Sequence, residues 1–127
     1  MGLGNTTTSA CVLSALTGAK PTETVGPGSW PDKPDLMNRK IDFVRSVLDK
    51  HKASIGSESE SDRVREIVAH VGGFDIVAIL GAMLACADFE KPFVIDGFIT
   101  SVAAACATHI NARVKDYADV YKRQAYT

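Results

Sequence analysis

Residues 92–97, Pro92-Phe93-Val94-Ile95-Asp96-Gly97, decide the fold class. A proline opens the short apolar run and Asp96-Gly97 closes it, the pattern of a strand buried in a parallel sheet. The sequence on either side is helical in character. Before the run, Phe74 to Ala87 is apolar nearly all round, and Gly81 and several alanines leave room for a close neighbour, so a helix packed on several sides is expected. The polar residues Asp88-Phe89-Glu90-Lys91 end it. After the run, an Ala-rich helix is expected from about Phe98 to Asn111. Helix, strand and helix in that order, with a strand apolar on both faces, point to an α/β architecture. In such folds ligands gather at the carboxyl ends of strands, where Asp96-Gly97 stands. Asp96 is equally suited to capping the helix that follows.

The other stretch with chemical character is the opening, Met1 to Thr8, which reads MGLGNTTT and runs into a helical segment. A helix start presents unpaired N–H groups and the positive end of the dipole, glycines allow close backbone approach, and threonine hydroxyls add donors. Phosphate suits such a loop. The plainer alternative is that Asn5 or Thr6 only caps the helix. That first helix is expected over about Thr6 to Leu16, stopped by Gly18 and Lys20-Pro21. The opening is not a P-loop, since no GxxxxGK precedes Ser or Thr, and it lacks the third glycine of the dinucleotide GxGxxG.

Between these two stretches, Thr22 to Val25 reads as a short strand, and Gly26-Pro27-Gly28-Ser29-Trp30-Pro31 as a loop ordered by proline and opened by glycine. From Asp35 to about Lys52, Leu36, Met37, Ile41, Phe43, Val44, Val47 and Leu48 recur at helical spacing, giving an amphipathic surface helix. Lys40 lies within it, and by position alone is a solvated side chain. Ser54 to Asp62 is a polar, acidic connector. A further helix is expected from near Ser61, with Val64, Ile67, Val68 and Val71 on one face, until Gly72-Gly73 interrupt it.

Composition excludes several function classes. Of the 127 residues, 46% are hydrophobic and 23% charged, with a net charge of −1, the balance of a packed domain with no electrostatic footprint for nucleic acid or anionic lipid. The apolar windows Ile76 to Ala87 and Gly97 to Thr108 fall short of the roughly 20 residues that a bilayer span needs. No basic residue precedes Lys20, so no secretory signal is expected and the cytoplasm is the default location. Cys11, Cys86 and Cys106 are far apart, in apolar contexts and without ligand spacing, and read as buried free thiols. His51, His70 and His109 have no partner spacing; His70 reads as a helix-end residue.

Taken together, the GLGNTTT opening, the GPG loop, Arg39-Lys40, Val71-Gly72-Gly73-Phe74-Asp75 and Val94-Ile95-Asp96-Gly97-Phe98 resemble the nicotinate-nucleotide:dimethylbenzimidazole phosphoribosyltransferase family of cobalamin biosynthesis. The five motifs stand in register over about residues 1–113. The segment between Gly28 and Lys40 is about one residue longer than the commonest family pattern, and Trp30-Pro31 is unusual there. The resemblance implies a fragment of a parallel-sheet, Rossmann-like three-layer α/β fold, mostly helical in this portion.

It also implies transfer of the phosphoribosyl group of nicotinate mononucleotide to a benzimidazole base, with no metal or cofactor and a homodimeric full-length protein. Gly2, Gly4, Asn5, Thr6, Thr7 and Gly28 would lie against the ribotide, Lys40 would neutralise its phosphate, and Asp96, Gly97 and Phe98 would line the same cleft. No catalytic residue is assigned in this chain. The family has one glutamate immediately before the position of Met1 and places its catalytic base in another, well beyond the matching region. Glu23, Glu58, Glu60, Glu66 and Glu90 match neither. The string Asp119 to Gln124, DVYKRQ, resembles a translated transposon-type sequencing adapter. Residues 1–116 are therefore expected to be the central nucleotide-binding portion, and 117–127 a foreign tail on an internal gene fragment. The alternatives are a binding module for a phosphorylated metabolite without turnover, and a helical interaction module without a ligand.

Overall fold

A computed structural model describes residues 3–120. Gly2 and the tail from residue 121 onward lie outside the described residues. The elements in order are α1 (Asn5–Thr17), the single turn α2 (Pro21–Thr24), α3 (Pro34–His51) running into a 3-10 turn, α4 (Glu60–Val71), α5 (Phe74–Asp88), β1 (Phe93–Ile95), α6 (Phe98–Ile110), the single turn α7 (Val114–Tyr117) and β2 (Ala118–Val120). The chain is thus mostly helical, with one small parallel sheet in which Phe93 faces Ala118, Val94 faces Asp119 and Ile95 faces Val120.

Helix α1 is the hub, packed against α2, α3, α4 and α6. Its small side chains allow this: Ser9, Ala10, Cys11, Val12 and Ser14 are all buried, and small residues on α6, Ala103 and Ala107, are buried likewise. The apolar faces expected on α3 and α4 point inward through Ile41, Val44, Val64 and Ile67. Helix α4 starts where Ser59 Oγ accepts the Asp62 N–H at 3.5 Å, an N-cap of the usual type.

Three expectations need correction. The stretch 22–25 is not a strand: Pro21 occupies the first helical position and the Glu23 carboxylate accepts the Lys20 N–H at 2.8 Å, so the local chemistry closes a helical turn. Helix α5 is packed on one side only. Ile76, Leu80, Met83 and Ala87 are buried, whereas Phe74 is 97% exposed, Val77 is exposed, and nothing stands within 4 Å of a Cβ built on Gly81. Strand β1 is likewise not buried on both faces. Ile95 points into the core and Val94 is 63% exposed, as alternation requires when one face has no cover among the described residues.

Candidate functional site

The start of α1 sets the geometry. Gly4 is the N-cap residue, with φ 88° and ψ −2°, a left-handed conformation that glycine adopts without strain, and no side chain caps the helix. The capping alternative for Asn5 and Thr6 therefore fails, since both residues lie inside the helix and their side chains turn elsewhere. Thr6 Oγ1 accepts a hydrogen bond from Lys40 Nζ at 2.9 Å, and the same ammonium reaches the Gly26 carbonyl at 3.4 Å. Asn5 Nδ2 donates to Asp75 Oδ2 at 3.1 Å, while Asp75 Oδ1 accepts the Ile76 N–H at 2.9 Å. The two residues tie the start of α1 to α3 on one side and to α5 on the other.

Lys40 is not the solvated side chain that its place on an amphipathic helix predicts. It is half-buried, and burial pushes its ammonium below the ordinary lysine value. Gly28 turns the loop over it with φ 60°, and a Cβ built there would stand 3.7 Å from Lys40 Nζ and 3.8 Å from Thr6 Oγ1. Leu3, Gly4, Thr6, Thr7, Gly28 and Lys40 are among the residues lining a cleft of about 460 Å³. Among the described residues, none of those lining it is a carboxylate. A smaller hollow of about 240 Å³ brings Phe98 to Thr6, Gly26 and Gly28. A third, about 330 Å³, lies between Gly4, Asn5 and Thr8 on one wall and Gly73, Phe74 and Asp75 on the other.

Asp96 and Gly97 are exposed at the turn from β1 into α6. The cap position belongs to Gly97, with φ 90°, and no side chain caps α6. Helix α5 also starts from a glycine, Gly73, without a side-chain cap. The starts of α1, α5 and α6 meet around these hollows, so several partly positive helix ends join one ammonium in a small region. That is a field suited to an anion. Burial pushes the Cys11 and Cys106 thiols up to about 11, which makes them poor nucleophiles, while Cys86, expected to be buried, is only half-buried.

Of the residues singled out from sequence, Gly4, Thr6, Thr7, Gly28 and Lys40 come together in one cleft and Phe98 adjoins it. Asn5 spends its amide on Asp75, which sequence reasoning quoted only as part of a motif. An acidic residue in the first turn after Gly72-Gly73 was the available signal, and its partner 70 residues away was not.

These features describe a cleft in which an ammonium and an uncapped helix start lie together, and the comparisons with known proteins specify the class. A family model described as phosphoribosyltransferase, DBI_PRT, matches residues 1–125. The chain belongs to this family, and it is similar to curated proteins named nicotinate-nucleotide–dimethylbenzimidazole phosphoribosyltransferase. It is 42% identical over 117 residues to the enzyme of that name from Pseudoalteromonas translucida, covering 92% of this chain and 31% of the relative. Its counterpart from Clostridium perfringens is 40% identical over the same length, with 92% and 30% covered. The crystal structure of CobT from Thermus thermophilus superposes with a TM-score of 0.81 at 30% identity, over 94% of this chain and 34% of that one. The chain thus spans about a third of the length of the relatives it matches.

Proposed function

We propose that this chain supplies the ribotide-holding part of an enzyme that transfers the 5-phosphoribosyl group from nicotinate mononucleotide to 5,6-dimethylbenzimidazole, releasing nicotinate and forming α-ribazole phosphate. The observation that carries this reading is the partly desolvated Lys40 ammonium, set on Thr6 in the uncapped first turn of α1 and covered by Gly28. A phosphate there would gain a charge-assisted hydrogen bond from Lys40 and N–H donors from the helix start. Gly2, Gly4, Asn5, Thr6 and Thr7 would follow the ribotide, with Asp96, Gly97 and Phe98 on the far wall. The two glutamates of the family match no residue of this chain, which favours binding without turnover when the chain is alone, because the attacking azole must give up a proton to a base. The catalytic glutamate would come from the remainder of the full-length protein.

Within that protein, residues 1–116 would form the central nucleotide-binding portion of a three-layer Rossmann-like fold, cytoplasmic and homodimeric, needing neither metal nor cofactor. Among the described residues no helix is long and apolar enough to cross a membrane. Residues 117–127 would be an appended segment. Against that origin weigh the family match, which runs through residue 125, and the parallel pairing of Ala118–Val120 with β1. Calorimetric titration of the chain with nicotinate mononucleotide tests the binding reading. Binding that weakens in Lys40→Ala supports it, and equal affinity of the two proteins overturns it. Nicotinate release by the isolated chain in the presence of dimethylbenzimidazole would overturn the statement that it is inactive alone.

A further inference from the structure

The Lys40 cleft has an aromatic wall that the phosphate does not need. Trp30, the single tryptophan of the chain, lines the cleft together with Leu3, Leu36 and Met37, and is 58% exposed. A large indole left this open contributes little to the core. Its loop is nonetheless held by turns: the Trp30 N–H donates to the Pro27 carbonyl at 3.3 Å, and the Trp30 carbonyl accepts the Lys33 N–H at 3.3 Å. The ring is therefore presented from an ordered backbone. Lys33 Nζ lies 4.8 Å from the ring centroid, so the face of this indole already receives a positive charge.

We propose that Trp30 is the platform for the pyridinium ring of the bound nucleotide, an inference that rests on reading the Lys40 cleft as a ribotide site. Nicotinate mononucleotide carries a negative phosphate at one end and an N-alkylated, electron-poor ring at the other. Lys40 suits the first and the electron-rich indole face suits the second. The product differs at the point that Trp30 reads, because its benzimidazole ring is uncharged once the proton has left. Trp30 thus favours the substrate over the product by stacking on the charged leaving ring, which makes it a specificity residue for the nucleotide.

The single tryptophan is its own reporter. Titration of the chain with nicotinate mononucleotide should quench its emission, whereas ribose 5-phosphate, which has no aromatic ring, should bind through its phosphate and leave the emission unchanged. By calorimetry, Trp30→Ala should weaken nicotinate mononucleotide roughly three- to tenfold and Trp30→Phe by no more than about threefold, the range of a half-open cation–π contact, with ribose 5-phosphate affinity constant in all three proteins. Binding of nicotinate mononucleotide that depends on Lys40, but with unchanged emission or with Trp30→Ala as tight as the parent, overturns the role of Trp30 and leaves the ribotide site standing. Equal quenching by ribose 5-phosphate also overturns it, since the loop and not the ring would then be responding. No Lys40-dependent binding of either compound overturns the ribotide site and this inference with it.

Discussion

The two ends of α1 each border a cleft of about 460 Å³, yet their electrostatics are opposite. At the carboxyl end, Lys20, Lys52 and Arg63 line the cleft with one carboxylate, Asp49, among them, and Arg63 Nη2 donates to the Ala15 carbonyl at 2.7 Å. Gly18 caps the same end, its N–H on the Ser14 carbonyl at 2.9 Å. Positive side chains there meet the negative end of a helix dipole, which is a closed and satisfied arrangement. At the amino end the signs repeat. The positive end of α1 receives the Lys40 ammonium on Thr6, with a glycine instead of a capping side chain. Equal volume therefore says little about where a ligand binds; the like-signed helix end and Lys40 ammonium are why the amino end is the proposed site.

Replacing the cation at each end should separate the two roles. Lys40→Met should lower the affinity for nicotinate mononucleotide by about 2 kcal/mol, roughly thirtyfold, the worth of a charge-assisted hydrogen bond to phosphate. The fold should keep or slightly raise its melting temperature, because a partly buried ammonium beside the positive end of a helix is removed. Arg63→Met should do the reverse, costing about 1–2 kcal/mol in urea unfolding through the lost bond to a helix-end carbonyl, with unchanged ligand affinity. If Arg63→Met weakens the nucleotide and Lys40→Met does not, the site lies at the other end.

A smaller effect distinguishes scaffold from cradle within the amino end. Asn5 braces Asp75 across 70 residues of sequence. Asn5→Ala should cost about 1 kcal/mol of stability for that part-buried hydrogen bond. Its effect on nucleotide affinity, measured by the same titration, decides whether Asn5 also reaches the ribotide. A large affinity loss at constant stability would place it in the cradle.

What the sequence makes legible follows from what each signal measures. Periodicity located α3 and α4, because those helices bury one face against neighbours within this chain, and alanine-rich composition located α6. Composition overstated burial for α5 and β1: Phe74, Val77 and Val94 are apolar but exposed here, in a chain about a third as long as its relatives. Residue type alone does not say which neighbour covers a side chain. At 21–24 the β-branched threonines favoured a strand, and Pro21 with the Glu23 carboxylate overrode them. The site was legible as parts. Nothing in the spacing of Thr6 and Lys40 predicts their contact, 34 residues apart, since the packing of α3 on α1 creates it. Only the family resemblance placed them together before the geometry did.

The smallest expected effect, and the one most specific to the amino end, concerns pH. Burial lowers the Lys40 value in the free protein from 10.5, so between the lowered value and 10.5 the folded chain binds fewer protons than the unfolded chain. Stability should therefore gain a small increment as pH rises through that window, because the desolvation cost of the charged form disappears when the ammonium is lost. Ligand binding should move oppositely. A bound phosphate favours the charged amine, so affinity for nicotinate mononucleotide should fall as pH rises through the lowered Lys40 value, with proton uptake on binding measurable by calorimetry in buffers of different ionisation enthalpy. Lys40→Arg should flatten this alkaline fall, since a guanidinium stays charged throughout. An identical fall in Lys40→Arg would assign the titration to another group and remove the electrostatic distinction between the two ends of α1.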